Sequence, residues 1–515
     1  MLKTIQQLWQ FRGGLHLEEH KDESTLLPIS SIPLPKKLVL PLQQHLGQTA
    51  EAIVSKGDKV LKGQKIAEAS GYVSVPLHAP TSGTVIDIDN YPIAHPSSMK
   101  SMCIVIESDG RDQWIEKHPV SNYESMTPEQ LREHIFEAGI VGMGGAGFPS
   151  FIKLNPGEEK KVKTLILNGA ECEPYITCDD MLMREQADNI ITGARIMLRA
   201  LQAEHCLIGI ENNKPEAIAA IQKAASAFSD IEVVSVPTLY PTGGEKQLIK
   251  VLTGLEVPNQ SFPSDIGIVC HNVATANAIY RAFILGEPSI SRVLTVAGNN
   301  IETARNLEVL IGTPFSDVIN VCGGLINKNA SLVMGGPMMG FQIHSEQAPV
   351  IKTCNCILAR DDNTSHEHHM PCIRCGQCAE VCPVNLLPQQ LYWYAHARDF
   401  DKIQDYKLFD CIECGCCDYV CPSDIPLVQY YRFAKTEIWV QEQEKQKSDI
   451  ARQRHEFRNS RLERDKRERA ERHKKKLASS DKSDDKDKKQ KVIQDALDRV
   501  KAKRDAQQAN QNNDQ

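Results

Sequence analysis

Long apolar segments are missing from this 515-residue sequence. It contains no run of about 18 or more apolar residues, so we expect no helix that crosses a bilayer and only peripheral membrane association. Its first ten residues also lack the apolar core and the small-residue cleavage site of a secretory signal. We therefore expect the 17 cysteines to be reduced, cytosolic and free to bind metal.

A dominant positive charge is missing as well, since the net charge is −7. Residues 436–515 contain 23 of the 59 basic and 17 of the 66 acidic residues, so this segment is basic. Residues 1–435 contain the other 36 basic and 49 acidic residues, so this larger part is acidic. Binding to phosphate backbones needs a clustered positive surface, so we expect no nucleic-acid partner. Residues 436–515 also lack glycine, proline and cysteine, which predicts a charged tail that is helical or disordered. The length predicts about three or four folded units.

Short strand-like runs separated by turn residues fill residues 32–110, which follow an N-terminal extension at residues 1–31. Residues 57–66 and 78–85 resemble the two halves of biotinyl and lipoyl carrier domains. Such carriers need a lysine at the tip between the halves, where Ser70-Gly71-Tyr72 stands here. The sequence therefore predicts a barrel-sandwich hybrid domain without carrier chemistry.

Strand-like and helix-like runs alternate over residues 125–290, where Thr127 is predicted to cap the first helix. The predicted strands are 164–167, 206–210, 231–236 and 266–270, and the further predicted helices are 188–201, 214–227 and 275–285. This alternation predicts an α/β domain with a largely parallel sheet. A smaller unit, which begins with a predicted strand at 293–297, follows it.

Two copies of a C-x2-C-x2-C-x3-C-P run dominate residues 365–435. Bacterial two-cluster ferredoxins have this spacing: three cysteines of a run bind one cluster, and the fourth ligates the other. The predicted ligands are Cys372, Cys375, Cys378 and Cys421 for one 4Fe-4S cluster, and Cys382, Cys411, Cys414 and Cys417 for the second. The spacing therefore predicts an α-helical ferredoxin module whose function is electron transfer.

Structural zinc in four-thiolate sites is the alternative for these eight cysteines, and their regular triple spacing argues against it. Cys416 would break the spacing if it were a ligand, and we predict that it is a spare thiol. Cys354 and Cys356 are predicted to be structural because two thiols alone make no metal site.

A glycine-rich loop, Gly142-Met143-Gly144-Gly145-Ala146-Gly147-Phe148-Pro149, is the candidate source of electrons for this module. It follows a helix rather than the strand that a Rossmann fingerprint requires, so a plain turn is the alternative. Lys153 lies beyond the loop, and residues 168–174 follow a predicted strand. Glycine amides and a lysine suit a phosphate, while a carboxylate at the end of a strand suits a ribose or the polar edge of a flavin.

Residues 142–149, 168–174, 240–246 and 271–275 resemble the signature segments of the NADH-binding flavoprotein subunit of respiratory complex I. That family binds FMN and NADH on one α/β domain and continues into a soluble-ligand-binding β-grasp domain, which the resemblance places at residues 291–345. It also implies a nicotinamide-stacking ring at Phe148. The implied flavin contacts are Gly142, Gly144, Lys153, Asn168, Glu171, Glu245, Asn272 and Thr275.

With its barrel-sandwich and its double cluster module, the chain resembles the C subunits of the Rnf (Rsx) ion-translocating oxidoreductase over residues 1–435. The resemblance implies a peripheral protein on the cytoplasmic side of the inner membrane, a translocase component that passes electrons between NAD(H), FMN and two 4Fe-4S clusters. The implied partners are the iron–sulfur B subunit and the A, D, E and G membrane subunits of that complex, and a ferredoxin-type electron partner. No catalytic side chain is predicted besides the cofactor contacts.

Two alternatives belong to other classes. Ala170 and Gly244 depart from the complex I pattern, which favours a relay scaffold that carries clusters but has no flavin or NADH site of its own. The A subunit of the Na+-translocating NADH:quinone reductase shares the barrel-sandwich but lacks the cysteine runs, so the eight cysteines argue against it.

Overall fold

The computed structural model describes residues 7–120, 122–157, 159–361, 369–480 and 484–511. The chain divides into two compact units, residues 1–435 and 436–515. The start of the N-terminal extension, the predicted start of the cluster module at residues 365–368 and parts of the tail lie outside the described residues. In the described part of the chain, no helix combines the length and apolarity needed to cross a membrane.

The barrel-sandwich consists of two small antiparallel sheets that enclose an apolar core. Strand β1 (Ser30–Ser31) precedes it and belongs to another sheet. The seven strands of the barrel-sandwich are β2 (Lys37–Pro41), β3 (Glu51–Ala52), β4 (Lys59–Val60), β5 (Lys65–Glu68), β6 (Leu77–His78), β7 (Gly83–Pro92) and β8 (Lys100–Ser108). The order is β2-β8-β7-β4 in one sheet and β3-β5-β6 in the other. Ser70-Gly71-Tyr72 lies in the connection between β5 and β6.

The α/β domain is built on four parallel strands in the order β11-β10-β9-β12. Its elements are α1 (Pro128–Glu137), α2 (Ser150–Lys153), β9 (Thr164–Gly169), α3 (Cys178–Glu185), α4 (Ala187–Leu201), β10 (His205–Glu211), α5 (Pro215–Ala225), β11 (Ile231–Val236), α6 (Glu245–Thr253), β12 (Ile268–Asn272) and α7 (Val273–Tyr280). A π-helical turn, Arg281–Leu285, continues α7. The predicted parallel sheet is confirmed, and Thr127 caps α1 through a capping box.

Strand order reverses between β9 and β12, because β10 and β11 extend the sheet on one side of β9 and β12 lies on the other. Open α/β sheets bind their ligands at such a switch point, beyond the carboxyl ends of the strands. The fold therefore places the candidate crevice between the ends of β9 and β12.

The third unit contains β13 (Ser291–Ala297), β14 (Arg305–Leu310), α8 (Phe315–Val321), β15 (Ser331–Met334), β16 (Phe341–Ile343) and β17 (Cys356–Arg360). Its sheet has the order β1-β14-β13-β17-β15-β16, so it includes β1 and β17, which lie outside the expected range 291–345. Both are added by pairing between strands far apart in sequence, which no local pattern reveals. Cys354 and Cys356 are fully buried here.

The cluster module is made of short helices: α9 (Gln377–Glu380), α10 (Pro388–Ala397), α11 (Phe400–Asp405) and α12 (Cys416–Tyr419). Helices α9 and α12 each follow a left-handed glycine, Gly376 with φ +85° and Gly415 with φ +77°. Helix α13 (Leu427–Ser480) begins within the module, and helix α14 (Asp484–Gln511) follows it. Where the tail is described it is therefore helical, as its lack of glycine and proline allows.

Candidate redox site

Asn168 and Asn272 lie at the ends of β9 and β12 and are register partners across the switch point. The glycine-rich loop lies against the same edge. A Cβ atom at Gly144 would be 3.1 Å from Cβ of Asn272, and the amide of Met143 donates to Oγ1 of Thr275 at 3.0 Å. The loop therefore borders the crevice even though it follows a helix.

Residues 240–245 form a second wall of the crevice. The side-chain amide of Asn168 donates to the carbonyl of Gly243 at 2.8 Å, and Nζ of Lys153 lies 2.6 Å from Oε1 of Glu245. Phe148 is half-buried, and its carbonyl accepts the amide of Gly142 at 2.8 Å. The structure thus brings the residues implied by the complex I resemblance to one edge of the sheet.

Glu171 uses its carboxylate within the chain. Its two oxygens accept the amides of Asp179 at 2.7 Å and Asp180 at 3.1 Å, at the start of α3. Its φ of +52° is left-handed, a strained conformation that costs about 1–3 kcal/mol and is concentrated at functional sites. The carboxylate therefore caps α3, an interaction that the sequence did not indicate.

Asp179 is a site residue that the sequence reasoning missed. Nδ2 of Asn272 donates to its Oδ2 at 2.6 Å, next to the carboxylate of Glu171. Burial, followed by the charge of Glu171, raises the pKa of Asp179 to about 7. In the sequence, the only sign of this residue is a pair of adjacent aspartates, Asp179 and Asp180, at the start of a helix. Such a pair is a weak indication of a site.

The crevice fits the phosphate end of a flavin in its chemistry. Gly144, Gly145 and Ala146 are exposed, and a Cβ atom at Gly145 would meet nothing within 4 Å, so the loop backbone faces open space. Lys153 supplies a positive charge beside this loop, and Nε2 of the buried His271 has no hydrogen-bond partner among the described residues. Exposed glycine backbone next to a lysine suits an anionic ligand.

The eight cysteines of the two runs line two separate voids. The outer cavity contains Cys372, Cys375, Cys378 and Cys421, and the inner cavity contains Cys382, Cys411, Cys414 and Cys417. Each cavity receives one cysteine from the other run, so this grouping in space coincides with the predicted ligand sets. Ligation itself stays a prediction.

Thiols that converge on one void are suitable donors for an iron–sulfur cluster. Burial, and more weakly the neighbouring Cys375, Cys421 and Cys372, raise the pKa of Cys378. Burial also raises the pKa of Cys411 to about 11. These thiols must lose their protons to bind metal, so cluster binding is coupled to proton release.

Two further cysteine predictions concern thiols outside the ligand sets. Cys416 lines the inner cavity and is 1% exposed, and it packs in one apolar cluster with Tyr240. Sγ of Cys354 lies 3.8 Å from the carbonyl of Cys356, and neither residue lines the two cavities.

The inner cavity adjoins the α/β domain. Oη of Tyr240 donates to the carbonyl of Cys414 at 2.6 Å, and both groups are buried. In the loop that supplies Cys372 and Cys375 to the outer cavity, by contrast, Cys375 is exposed and Ile373 is 68% exposed. The two cavities therefore differ in surroundings: one faces the crevice side and the other faces solvent.

Four family models match consecutive parts of the chain. They are the RnfC barrel sandwich hybrid domain at residues 9–111, the Nuo51 FMN-binding domain at 135–281, the SLBB domain at 293–342 and a 4Fe-4S dicluster domain at 371–425. These matches confirm the predicted fold class. They also confirm the predicted FMN and 4Fe-4S cofactors.

Curated relatives are similar over nearly the whole chain. The C subunit of the ion-translocating oxidoreductase complex of Haemophilus influenzae (strain PittEE) is 48% identical over 500 residues, which cover 97% of this chain and 77% of the relative. The Vibrio cholerae protein of the same name (strain O395) is 47% identical over 98% of this chain and 66% of its own length. The Pseudomonas aeruginosa protein of the same name is 48% identical over 89% of this chain and 59% of its own length.

Among solved structures, an NAD+-reducing NiFe hydrogenase in the H2-reduced state is similar with a TM-score of 0.44 and 18% identity. The match covers 59% of this chain and 62% of the hydrogenase chain.

Proposed function

Because the chain belongs to the family of C subunits of ion-translocating oxidoreductase complexes, we propose that it passes electrons between NAD(H) and two 4Fe-4S clusters through FMN. As a member of that family it is an electron-transferring oxidoreductase subunit of a membrane-associated complex. The observation that carries the proposal is the position of the inner cavity, which adjoins the α/β domain whose crevice fits a flavin.

The residues that would hold FMN are those gathered at the switch point. Gly142, Gly144 and Lys153 would face its phosphate, while Asn168, Glu171, Glu245, Asn272 and Thr275 would hold its other polar groups, and Phe148 would stack on the nicotinamide of NAD(H). When bound, a flavin exchanges hydride with nicotinamide and single electrons with iron–sulfur clusters. The chain would contribute positioning, with Thr275 and His271 buried at the start of α7 and the end of β12.

The order of the cluster sites follows from their surroundings. The inner cavity, with Cys382, Cys411, Cys414 and Cys417 as ligands, would exchange electrons with the crevice. The outer cavity, with Cys372, Cys375, Cys378 and Cys421 as ligands, would exchange them with a partner at the surface.

The rest of the complex is inferred from the family. The partners would be the iron–sulfur B subunit, the A, D, E and G membrane subunits, and a ferredoxin-type protein. The chain would be attached peripherally on the cytoplasmic side of the inner membrane, and electron flow would be coupled to ion movement in the membrane subunits.

The test is reconstitution of the full chain with iron, sulfide and FMN. We expect about eight irons per chain, retained FMN and cluster bleaching on addition of NADH. Lys153→Met should lose FMN on gel filtration, while Lys160→Met, a partly exposed lysine of the same domain that pairs with Asp265, should retain it. Clusters that dithionite reduces and NADH does not, in a chain without flavin, would contradict the proposal.

A relay scaffold without flavin is the second candidate. It is favoured because residues that the complex I resemblance assigns to flavin binding already have partners within the chain. Lys153 pairs with Glu245, and the carboxylate of Glu171 caps α3. For this candidate, Lys153→Met would leave every cofactor content and every rate unchanged.

A further inference from the structure

One short segment of the α/β domain contacts both redox sites. At its start, Tyr240 is 3% exposed and donates its phenol to the carbonyl of Cys414 in the inner cavity. Three residues later, Gly243 accepts the amide of Asn168 at the end of β9. The path from the crevice to a cysteine of the inner cavity therefore runs through a single loop.

The backbone of Tyr240 is held in place by the N-terminal extension. Leu15 donates its amide to the carbonyl of Tyr240 at 2.8 Å and accepts the amide of Tyr240 at 2.9 Å. The adjacent Gly14 donates to the carbonyl of Val381 at 3.0 Å, and Val381 immediately precedes Cys382. Tyr240 is thus connected to both chain segments that supply cysteines to the inner cavity.

A second contact holds the same cysteine loop without using the phenol. The carboxylate of Glu173 accepts the amides of Met338 at 3.1 Å and Met339 at 2.8 Å. The carbonyl of Met338 in turn packs against Gly415, where a Cβ atom would lie only 2.7 Å from its oxygen. Removal of the Tyr240 hydroxyl should therefore leave the loop in place.

Hydrogen bonds around the ligands of a cluster set its reduction potential. The phenol directs the positive end of its O–H dipole at the backbone of Cys414 in a buried contact, where electrostatic interactions are strong. Because reduction adds negative charge to a cluster, a donor in this position stabilises the reduced form.

We propose that Tyr240 is a positioning residue for electron transfer, whose hydroxyl, by donating to the carbonyl of Cys414, raises the potential of the inner cluster relative to the outer one. The inference rests on the proposed function, because it assumes clusters in both cavities. It extends that function by naming the group that makes the inner cluster the better acceptor of electrons from the crevice.

The test is a redox titration of the full-length chain with reconstituted clusters, followed by electron paramagnetic resonance. In Tyr240→Phe we expect the ratio of oxidised to reduced inner cluster at a fixed potential to rise about tenfold, a shift of about 59 mV to lower potential. The outer cluster and the iron content should be unchanged. A role in packing alone would not shift one potential selectively.

Two further variants identify the signals. Oε1 of Gln389 lies 3.6 Å from Sγ of Cys378 in the outer cavity, so Gln389→Leu should shift the other signal. Tyr123→Phe removes the hydroxyl of a buried tyrosine in the core of the α/β domain and should shift neither cluster signal. Unchanged potentials in Tyr240→Phe, equal shifts of both clusters, or a shift of the signal that Gln389→Leu also moves would overturn the proposal.

The two failures are distinguishable because the titration uses dithionite and needs neither NADH nor flavin. A wild-type chain that NADH fails to reduce would contradict the proposed function, whereas the titration would still decide the role of Tyr240.

Discussion

The inner and outer cavities share one cysteine spacing but have different surroundings. Gly376 and Gly415 occupy equivalent positions in the two loops, yet a Cβ atom at Gly376 would meet nothing within 4 Å and one at Gly415 would meet the carbonyl of Met338. Cys414 is 8% exposed, whereas its counterpart Cys375 is exposed. The two cysteine runs therefore have the same spacing, which is typical of one kind of cofactor, and the packing around each loop is what underlies the proposed order of the clusters in electron transfer.

The largest effect should come from removing one cysteine of each cavity. Cys414→Ala should abolish reduction of the outer cluster by NADH, because the inner cluster is the proposed link to the crevice. Cys375→Ala should leave the inner cluster reducible by NADH. Iron should fall from about eight to about four per chain in both variants. Reduction of the outer cluster by NADH in Cys414→Ala would contradict the proposed order of the two clusters.

The paired glycines provide the next test. Each has left-handed φ, so alanine at either position should lower the free energy of unfolding by about 1–2 kcal/mol. Gly415→Ala should cost more than Gly376→Ala because of the close carbonyl of Met338, and it alone should slow reduction by NADH. Denaturant unfolding and stopped-flow absorbance measure the two effects. Equal losses of unfolding free energy in the two variants would contradict the close contact between Gly415 and the carbonyl of Met338.

Lys435 places a positive charge beside the inner cavity, since Nζ donates to the carbonyl of Cys411 at 2.7 Å. Lys435→Met should therefore disfavour the reduced inner cluster by about tenfold in the equilibrium ratio. Lys402→Met, a more exposed lysine near Asp399 in the same module, serves as the matched control and should change neither potential. A shift in the potential of the outer cluster in Lys435→Met would contradict the assignment of this charge to the inner cavity.

Lys352 should have the smallest effect on the two clusters. It is a fully buried lysine that donates to the carbonyls of Gly139 and Pro76. Burial lowers its pKa to about 7 from 10.5. Between these values the unfolded chain binds more protons, so the free energy of unfolding should rise as the pH rises from about 7 toward 10. Lys352→Met should lose this dependence in denaturant titrations at pH 7 and 9. A shift in the reduction potential of either cluster in Lys352→Met would show that the effect of this lysine is not confined to stability.

Local patterns predicted much of this architecture. Thr127 with Gln130 forms the capping box that starts α1, and the alternation of strands and helices is that of a parallel sheet. The cysteine spacing also anticipated which thiols share a void, because each short helix moves its fourth cysteine away from its own loop. In these cases the physical cause lies within a few residues of sequence.

Long-range contacts could not be predicted in this way. The cap that Glu171 places on α3 depends on a left-handed turn, and the contact of Tyr240 with Cys414 joins residues 174 positions apart. Strands β1 and β17 enter their sheet by pairing with distant segments. The spacing of the cysteines is the same in both runs, so it contains no information on which cavity faces the crevice.

The exchange of Cys382 and Cys421 between the two cavities has a consequence for maturation. Helix α9 contains Cys378 of the outer cavity and ends two residues before Cys382 of the inner one, so a cluster in one void would restrain the geometry of the other. Insertion of the first cluster would therefore preorganise the second set of thiols, and iron loading should be cooperative. In the wild-type chain the second cluster would then be inserted faster than the first, whereas a variant that lacks one site could still hold a cluster in the other.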